Sequence, residues 1–330
     1  MRVLFIVEAG AAYGMGHLMR CRVLMREMKR RGVDVDLCLR GDAVVPEACA
    51  WPARIDAQSY DWIVIDGYGF FAEGLCENLK RSGARLLVID DLPRPHAADV
   101  ILNPNMESPG DNANGAGVNG RRLFGPRYAP VAEDYGQTRW DNLNHKSLER
   151  ILISCGGVDR MGRTEQILAD IEDWDARLDL DVVVGPWHPF EKDLRAYRGR
   201  HRLEIHKAPD GLASLMERAD LMISAAGSTV WEACAVGVPL VAIRIVENQT
   251  EPWRTLQRFK AALCMDASDL SSGESSSRLT GLLREASRES VRSELSARGR
   301  SLVDGRGAER TVDEMLAVSE SAAYGAGPRR

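Results

Sequence analysis

The chain has 330 residues, of which 28% are charged and 45% hydrophobic, and its formal net charge at pH 7 is −5. This acidic balance argues against general affinity for nucleic acid or for an acidic membrane, and the composition is that of a globular protein. No apolar run approaches a membrane span, and no signal-peptide cleavage site follows the N-terminal apolar run. We therefore expect a cytoplasmic protein of two domains, because the chain exceeds one core of average size. The cysteines form no CxxC pair, which favours reduced thiols.

The N-terminal segment predicts a strand, a glycine turn and a helix. Residues 3–7 are an apolar, β-branched run, and apolar residues recur at helical spacing over residues 18–31. Gly14 and Gly16 lie in the turn between them, where glycine leaves room for a ligand and free helix N–H groups suit phosphate. His17 follows at once and is a candidate general base, because imidazole titrates near neutral pH. A histidine that merely caps the helix fits the same residues.

The rest of the first half continues this alternation. We predict strands over residues 33–39, 61–66, 85–89 and 98–102, with a helix over residues 70–82. Polar residues stand at the carboxyl ends of these strands, where parallel sheets bind ligands: Asp66, Tyr68, Asp91 and Asn103. Each alone fits a turn or a cap equally well, but their joint placement favours a site. Residues 107–119 predict a mobile surface loop, and residues 136–147 a linker between domains.

The second half starts the alternation again. Strands are predicted over residues 150–155, 180–184, 203–206, 221–224 and 240–243, short helices over residues 212–218 and 230–235, a further helix through Trp253, and charged helices over residues 276–318. Two glycine turns interrupt this pattern, at Gly156 and Gly157 and at Gly227, Ser228 and Thr229.

The turn at Gly227 opens a helix, and its N–H groups and two hydroxyls suit a diphosphate. Glu232, one turn later, is placed to reach a ribose, although an exposed structural glutamate fits as well. The chain lacks the GxxxxGK[ST] sequence of a P-loop, and its first glycine turn lacks a complete GxGxxG. Asp90 and Asp91 have no third metal ligand near them in the sequence, so we expect no metal.

Taken in order, these segments resemble the UDP-sugar hydrolases of pseudaminic acid biosynthesis. That family acts on UDP-2,4-diacetamido-2,4,6-trideoxy-β-L-altropyranose and is grouped with a spore-coat polysaccharide protein. The resemblance extends from residue 1 to about residue 270, and it is carried by residues 14–20, 66–69, 90–91, 102–105, 156–159, 224–229 and 248–249.

The resemblance implies a GT-B fold, an α/β architecture in which two Rossmann-like domains with parallel sheets face each other across a cleft. The family's GT-B architecture is related to the glycosyltransferase that completes the lipid-linked peptidoglycan precursor. We expect an N-terminal domain over residues 1–135, a linker over residues 136–147, a C-terminal domain with its helices over residues 148–318, and a frayed tail over residues 319–330.

The resemblance also implies a reaction, the hydrolysis of a UDP-linked sugar at its anomeric carbon with release of UDP and without a cofactor. His17 matches the histidine proposed to activate water. The sugar side is expected to include Gly14, Gly16, Arg20, Asp66, Tyr68, Asp91, Asn103, Asn248 and Gln249. The nucleotide side is expected to include Gly156, Gly157, Gly227, Ser228, Thr229 and Glu232.

The sequence departs from the family pattern at three places, which leaves the sugar open. Residues 8–12 replace an Asp/Ser-rich run, Val158 replaces a threonine, and Pro130 to Ala132 replace a Leu-Leu-Arg run. The loss of one contact to the sugar changes specificity by an order of magnitude or more. Two other functions stay open: a GT-B glycosyltransferase in which His17 activates an acceptor hydroxyl, and a non-catalytic protein that binds nucleotide sugars. The oligomeric state is also open.

Overall fold

The computed structural model describes residues 1–51, 55–92, 94–105, 120–141, 146–189, 191–270 and 278–325. The chain forms two compact units: Met1–Val131 with Arg306–Arg330 is unit 1, and Ala132–Gly305 is unit 2. All seven cysteines are free thiols. Over the described ranges, no helix combines the length and the apolar character needed to cross a bilayer. The loop predicted over residues 107–119 lies outside the described residues.

Unit 1 is built on a seven-stranded parallel sheet in the order β3-β2-β1-β4-β5-β6-β7. The inner strands are buried on both faces, which explains why they read as continuous apolar runs in the sequence. In chain order its elements are β1 Arg2–Glu8, α1 Gly16–Arg30, β2 Asp34–Arg40, β3 Ala48–Ala50, β4 Trp62–Asp66, α2 Tyr68–Ala72, α3 Leu75–Arg81, β5 Leu86–Ile89, β6 Val100–Asn103 and β7 Arg121–Phe124.

Unit 2 repeats this plan with a six-stranded parallel sheet in the order β10-β9-β8-β11-β12-β13. Its elements are α4 Glu133–Gln137, β8 Arg150–Ser154, α5 Arg163–Ile171, β9 Asp179–Val184, α6 Glu191–Arg195, β10 Arg202–Lys207, α7 Ala213–Arg218, β11 Leu221–Ala225, α8 Thr229–Val236, β12 Leu240–Arg244, α9 Thr250–Arg258, β13 Leu263–Asp266, α10 Arg278–Ala286 and α11 Glu289–Leu302.

The predicted extent of the second domain is wrong at its C-terminal end. The last helix, α12 Gly307–Gly325, belongs to unit 1, where Val312 and Met315 are fully buried in the core beside α1 and β1. Arg31, directly after α1, forms an ion pair with Asp313, and the Trp62 indole N–H donates to Ser319 Oγ at 2.8 Å. The predicted frayed tail is helical as far as residue 325, and Ser319 at its start contacts Trp62 of unit 1.

Three further local predictions are corrected by the structure. The single helix expected over residues 70–82 is split into α2 and α3, because Gly74 adopts φ +68° between them. The strands β3, β7 and β13 were not predicted, since all three are short and β7 begins with two arginines. The predicted linker begins inside α4, and its Trp140 is buried in unit 2 with its indole N–H donating to Ala219 O at 2.9 Å.

Both sheets reverse their strand order at one point, and polar loops follow the two strands that flank it. In unit 1 these strands are β1 and β4, and in unit 2 they are β8 and β11. Ligands of parallel sheets bind beyond the carboxyl ends of the strands at such a switch point. In unit 1, His17 follows the loop after β1 and Asp66 ends β4, and in unit 2 both predicted glycine turns lie at the switch point.

Candidate active site and nucleotide-binding loops

His17 lies in the first turn of α1, which starts at Gly16 behind the loop that leaves β1. Gly14 adopts φ +76°, a conformation that favours glycine, and its N–H donates to Gly10 O at 2.7 Å. The N-cap of α1 is Met15, and no side chain caps this helix. The alternative that His17 only caps α1 is therefore wrong, because its ring contacts another strand.

The imidazole of His17 is held by Asp66, the last residue of β4. Nδ1 lies 2.7 Å from Asp66 Oδ1, and the two residues are 9% and 0% exposed. Arg20 Nη2 also lies 3.1 Å from Nδ1, but the Asp66 carboxylate is nearer and only accepts hydrogen bonds, so we assign the proton to Nδ1 and the lone pair to Nε2. Within the described part of the chain, Nε2 itself has no hydrogen-bond partner. An imidazole oriented in this way is suited to accept a proton.

Arg20, one turn further along α1, joins two carboxylates. Its Nε and Nη2 donate to Asp66 Oδ2 and Oδ1 at 2.6 and 2.7 Å, and its Nη1 donates to Asp91 Oδ1 at 2.6 Å. Burial by itself would raise the pKa of Asp66, but the charges of Arg20 and His17 outweigh it, and the pKa is lowered from its usual range. Asp66 therefore stays ionised at any pH at which His17 acts as a base.

Asp91 is enclosed by its partners rather than open to a ligand. Besides Arg20, it accepts hydrogen bonds from the Tyr68 hydroxyl at 2.7 Å and from Asn105 Nδ2 at 2.7 Å. Asn103 is also buried, and its Oδ1 accepts the backbone N–H of Asn105 at 3.0 Å. The structure thus brings the predicted residues Asp91 and Asn103 to the site as supports. Asn105 was missed among the candidates, although it follows Asn103 in the same loop.

Asp90 is committed to the loop that follows β5. Its two oxygens accept from the Arg94 guanidinium, both at 2.9 Å, from the Leu92 N–H at 3.1 Å, and one contacts His96 Nε2 at 2.6 Å. Burial alone would raise its pKa, but His96 and Arg94 lower it overall. With these partners, Asp90 has little capacity left for a metal ion.

In unit 2, the turn between β11 and α8 presents backbone N–H groups at the switch point. Gly227 precedes Ser228, the N-cap, and Thr229 is the first residue of α8. Ser228 is exposed, and Gly227 and Thr229 are partly exposed. A helix N-terminus with accessible hydroxyls has the donors and the positive dipole end that a diphosphate requires.

Glu232 lies in the first turn of α8 and is partly buried. Burial, with a smaller contribution from the negative charge of Asp134, raises its pKa to about 7. The neighbouring Tyr135 hydroxyl accepts the Leu212 N–H at 2.8 Å, and burial raises the pKa of that tyrosine as well. A freely exposed surface glutamate does not fit these surroundings.

The second glycine turn of unit 2 follows β8. Gly156 adopts φ +91°, and a Cβ added to it would meet no atom within 4 Å. The carbonyl oxygen of Gly157 packs on Gly185, where an added Cβ would lie 1.8 Å away. Asp159 closes the turn by accepting the N–H groups of Arg163 and Thr164 at 2.9 and 2.8 Å. The turn is therefore fixed at its far end and open at Gly156.

Asn248 and Gln249 lie in a single 3₁₀ turn, Glu247–Gln249, between β12 and α9. The Gln249 side chain folds back, and its Oε1 accepts the N–H of Ile245 at 2.8 Å. Gln249 thus closes its own turn, and Asn248 is partly buried beside it.

Unit 2 contains two groups of three side chains, and each group brings three possible metal-ligand atoms within 4.8 Å of one another. The first group is Asp159, Glu165 and His188, and the second is Asp181, Glu204 and His206. Asp181 already accepts hydrogen bonds from Arg150 and Arg218 at 3.0 and 2.6 Å, so cations neutralise it. Asp159 already accepts the backbone N–H groups of Arg163 and Thr164. We assign a metal to neither group, because their carboxylates already have partners.

The fold matches known structures over nearly its whole length. MurG of Acinetobacter baumannii superposes with a TM-score of 0.68 at 15% identity, covering 96% of this chain and 100% of that one. The S. aureus MnaA–UDP structure superposes with a TM-score of 0.63 at 12% identity, covering 95% of each chain. The chain has a GT-B fold. The expected α/β architecture of two parallel sheets is thereby confirmed.

Sequence comparisons add three relatives of this GT-B chain. The spore coat polysaccharide biosynthesis protein SpsG of Bacillus subtilis is 26% identical, covering 93% of this chain and 95% of that protein. The UDP-2,4-diacetamido-2,4,6-trideoxy-beta-L-altropyranose hydrolase of Campylobacter jejuni is 24% identical over 77% and 96%. The uncharacterized protein MJ1062 of Methanocaldococcus jannaschii is 24% identical over 76% of this chain, which spans only 57% of that protein.

A family model also matches the second unit. Residues 161–301 match the glycosyltransferase family 28 C-terminal domain. The expected homology to the hydrolase and to the spore-coat protein is confirmed by these relatives.

Proposed function

We propose that this protein hydrolyses a UDP-linked deoxyamino sugar at the anomeric carbon, releasing UDP and the free sugar for the biosynthesis of a surface polysaccharide or nonulosonic acid. The observation that carries the proposal is the buried contact of 2.7 Å between His17 Nδ1 and Asp66, which directs a basic Nε2 away from its carboxylate. The relative named as a UDP-sugar hydrolase supports the substrate class.

In the proposed reaction, water attacks C1 of the sugar while His17 Nε2 accepts its proton. The bond between C1 and the diphosphate oxygen breaks, and UDP leaves with the bonding electron pair. The resulting imidazolium is stabilised by Asp66, whose lowered pKa keeps it ionised. Because water attacks C1 directly, the sugar is released with inverted anomeric configuration.

The departing UDP is assigned to unit 2. We propose that the N-terminus of α8, with Gly227, Ser228 and Thr229, holds the diphosphate, and that Glu232 binds the ribose hydroxyls. The open turn at Gly156 and Gly157 lies beyond the neighbouring central strand and would contact the same nucleotide. Hydrogen-bond donors and a helix dipole directed at the leaving oxygens stabilise the charge that develops there.

The test is turnover by the His17→Ala variant on a panel of UDP-linked deoxyamino sugars, with the anomeric proton followed by NMR. We expect UDP release to fall at least about 100-fold while UDP still binds, because only the base is removed. In H₂¹⁸O the label is expected in the sugar and not in UDP, since C1–O is the bond that breaks. Turnover within a few-fold of the unmodified protein would exclude His17 as the base.

A second candidate is a glycosyltransferase, and it is favoured by the family model matched by residues 161–301. His17 would then take its proton from an acceptor hydroxyl instead of water. Incubation with the nucleotide sugar alone separates the two functions, because a hydrolase releases UDP at full rate without an acceptor. Binding of UDP-sugars without any turnover would support a non-catalytic binding protein.

A further inference from the structure

A second buried carboxylate, Glu8, lies at the carboxyl end of β1 and takes no part in the proposed reaction. The residue is 0% exposed. Its Oε1 accepts hydrogen bonds from Arg40, from Nε at 3.0 Å and from Nη2, and its Oε2 accepts the backbone N–H of Gly69 at 3.1 Å. A charged group so deeply buried persists only when its partners satisfy it.

Arg40 extends this contact to the start of α2. Its guanidinium lies 4.3 Å from the centroid of the Phe70 ring, and its Nη1 donates to both oxygens of Glu73 at 2.7 and 2.8 Å. The Glu8–Arg40 pair, meaning these two side chains, is thus joined to three residues of one short stretch, Gly69, Phe70 and Glu73.

Gly67, just before α2, and Gly69, inside α2, both pack directly on the Glu8–Arg40 pair. A Cβ added to Gly67 would lie 2.6 Å from Cγ and Oε2 of Glu8, and one added to Gly69 would lie 2.1 Å from Arg40 Nη2. A larger residue at either position would have to displace the side chain of Glu8 or Arg40, so the backbone on both sides of Tyr68 packs directly on the pair.

Tyr68 in turn meets the proposed base. Its ring lies edge-on to the His17 ring, with centroids 5.0 Å apart and an interplanar angle of 85°, and its hydroxyl donates to Asp91 at 2.7 Å. We propose that the Glu8–Arg40 pair is a positioning device that holds Tyr68 against His17 and so fixes the direction of Nε2. This inference rests on the proposed function. A shift of about 1 Å in such a contact costs up to about 100-fold in rate.

The first test is a double-mutant cycle with Glu8→Gln and Tyr68→Ala, the second of which removes the ring that contacts His17. The glutamine amide must turn its NH₂ group toward Arg40 or toward the Gly69 N–H, which are both donors, so one contact is lost. We expect Glu8→Gln to lower kcat about 10- to 100-fold with little change in KM, but less than about threefold when Tyr68→Ala has already removed the ring through which the pair acts on His17. An equal loss in both backgrounds would overturn the proposal.

The matched control is Glu47→Gln, which breaks the solvent-accessible ion pair of Glu47 with Arg22 in the same unit. That variant is expected to keep kcat within about twofold, because exposed ion pairs contribute little.

The second test does not depend on turnover. Hydrogen–deuterium exchange of the peptide covering residues 67–72 is expected to be faster in Glu8→Gln than in the unmodified protein or in Glu47→Gln. Arg40→Lys, which keeps the charge but cannot make the same forked contact, is expected to speed exchange there too. Exchange at the unmodified rate in both variants would refute the positioning role. Failure of the unmodified protein to release UDP would refute the proposed function alone.

Discussion

Asp66→Asn is the substitution that tests the site most directly, because Asp66 contacts both His17 and Arg20. An asparagine has one oxygen and one NH₂ group in place of two acceptors. With NH₂ toward His17, it donates to Nδ1 and moves the imidazole proton to Nε2, which removes the base. With NH₂ toward Arg20, two donors meet in a buried place. Neither orientation preserves the contacts of 2.6 and 2.7 Å that the carboxylate makes.

Both activity and stability should therefore fall. We expect kcat to drop about 10³- to 10⁴-fold, as when the carboxylate that orients a catalytic histidine is amidated in other enzymes. Removal of one partner from a buried ion pair costs about 3–5 kcal/mol, so the free energy of unfolding in urea should fall by that order. Circular dichroism at the assay temperature establishes that the variant is folded before its turnover is measured.

The stability that Asp66 contributes depends on pH with a definite sign. Folding lowers the pKa of Asp66, so its stabilisation is present above its usual pKa near 4 and is lost as the pH falls through the lowered value. The stability gap between the unmodified protein and Asp66→Asn should therefore still be present at pH 5. Asp36→Asn breaks an exposed pair with Arg2 and is the control, with an expected cost below about 1 kcal/mol. A kcat of Asp66→Asn within about threefold of the unmodified enzyme would refute the reasoning.

Three further predictions concern other parts of the chain. Because the pKa of Glu232 is raised to about 7, its carboxyl ionises between pH 6 and 8 and then accepts ribose hydroxyls better, so calorimetry should find tighter UDP binding at pH 8 than at pH 6. Glu232→Gln should flatten this pH dependence of UDP affinity. An equal pH dependence in both proteins would contradict the proposed contact between Glu232 and the ribose. Gly185→Ala should destabilise unit 2 by about 1–3 kcal/mol in thermal unfolding, because the added methyl group overpacks the site. Gly281→Ala should stabilise unit 2 by about 0.5–1 kcal/mol, because the added methyl group enters open space inside α10. A Gly185→Ala variant more stable than Gly281→Ala would refute the packing argument. Met315→Ala in α12 should lower the free energy of unfolding in urea by about 2–5 kcal/mol, because Met315 is fully buried. The control Val44→Ala should change it by near zero, because Val44 is 95% exposed. Equal losses in the two variants would contradict the burial of α12.

The fold was predictable because both sheets are parallel and buried. A strand such as Trp62–Asp66 is apolar at four of five positions, and such runs alternating with helices admit few architectures. The carboxyl ends of those strands then placed His17, Asp66 and Tyr68 near one another, and the structure does bring these three side chains together.

Features that depend on tertiary packing could not be predicted. An amphipathic pattern identifies α12 as a helix, but nothing local to residues 307–325 says which sheet it covers. The partners of Asp91 were likewise hidden, since Arg20 and Tyr68 lie 71 and 23 positions away in the sequence. The position of Asp91 at a strand end and the family resemblance therefore suggested a ligand contact, whereas in the structure Asp91 supports other side chains of the site.

The packing of α12 in unit 1 has a consequence for how the chain folds during translation. On the ribosome, all of residues 132–305 emerge before Val312 and Met315, which complete the core of unit 1. Residues 1–131 are thus synthesised first but complete their core last, whereas nascent domains usually fold in the order of their synthesis. A chain that terminates early, or that a protease clips near its C-terminus, would expose the core of unit 1, the unit that contains the candidate base.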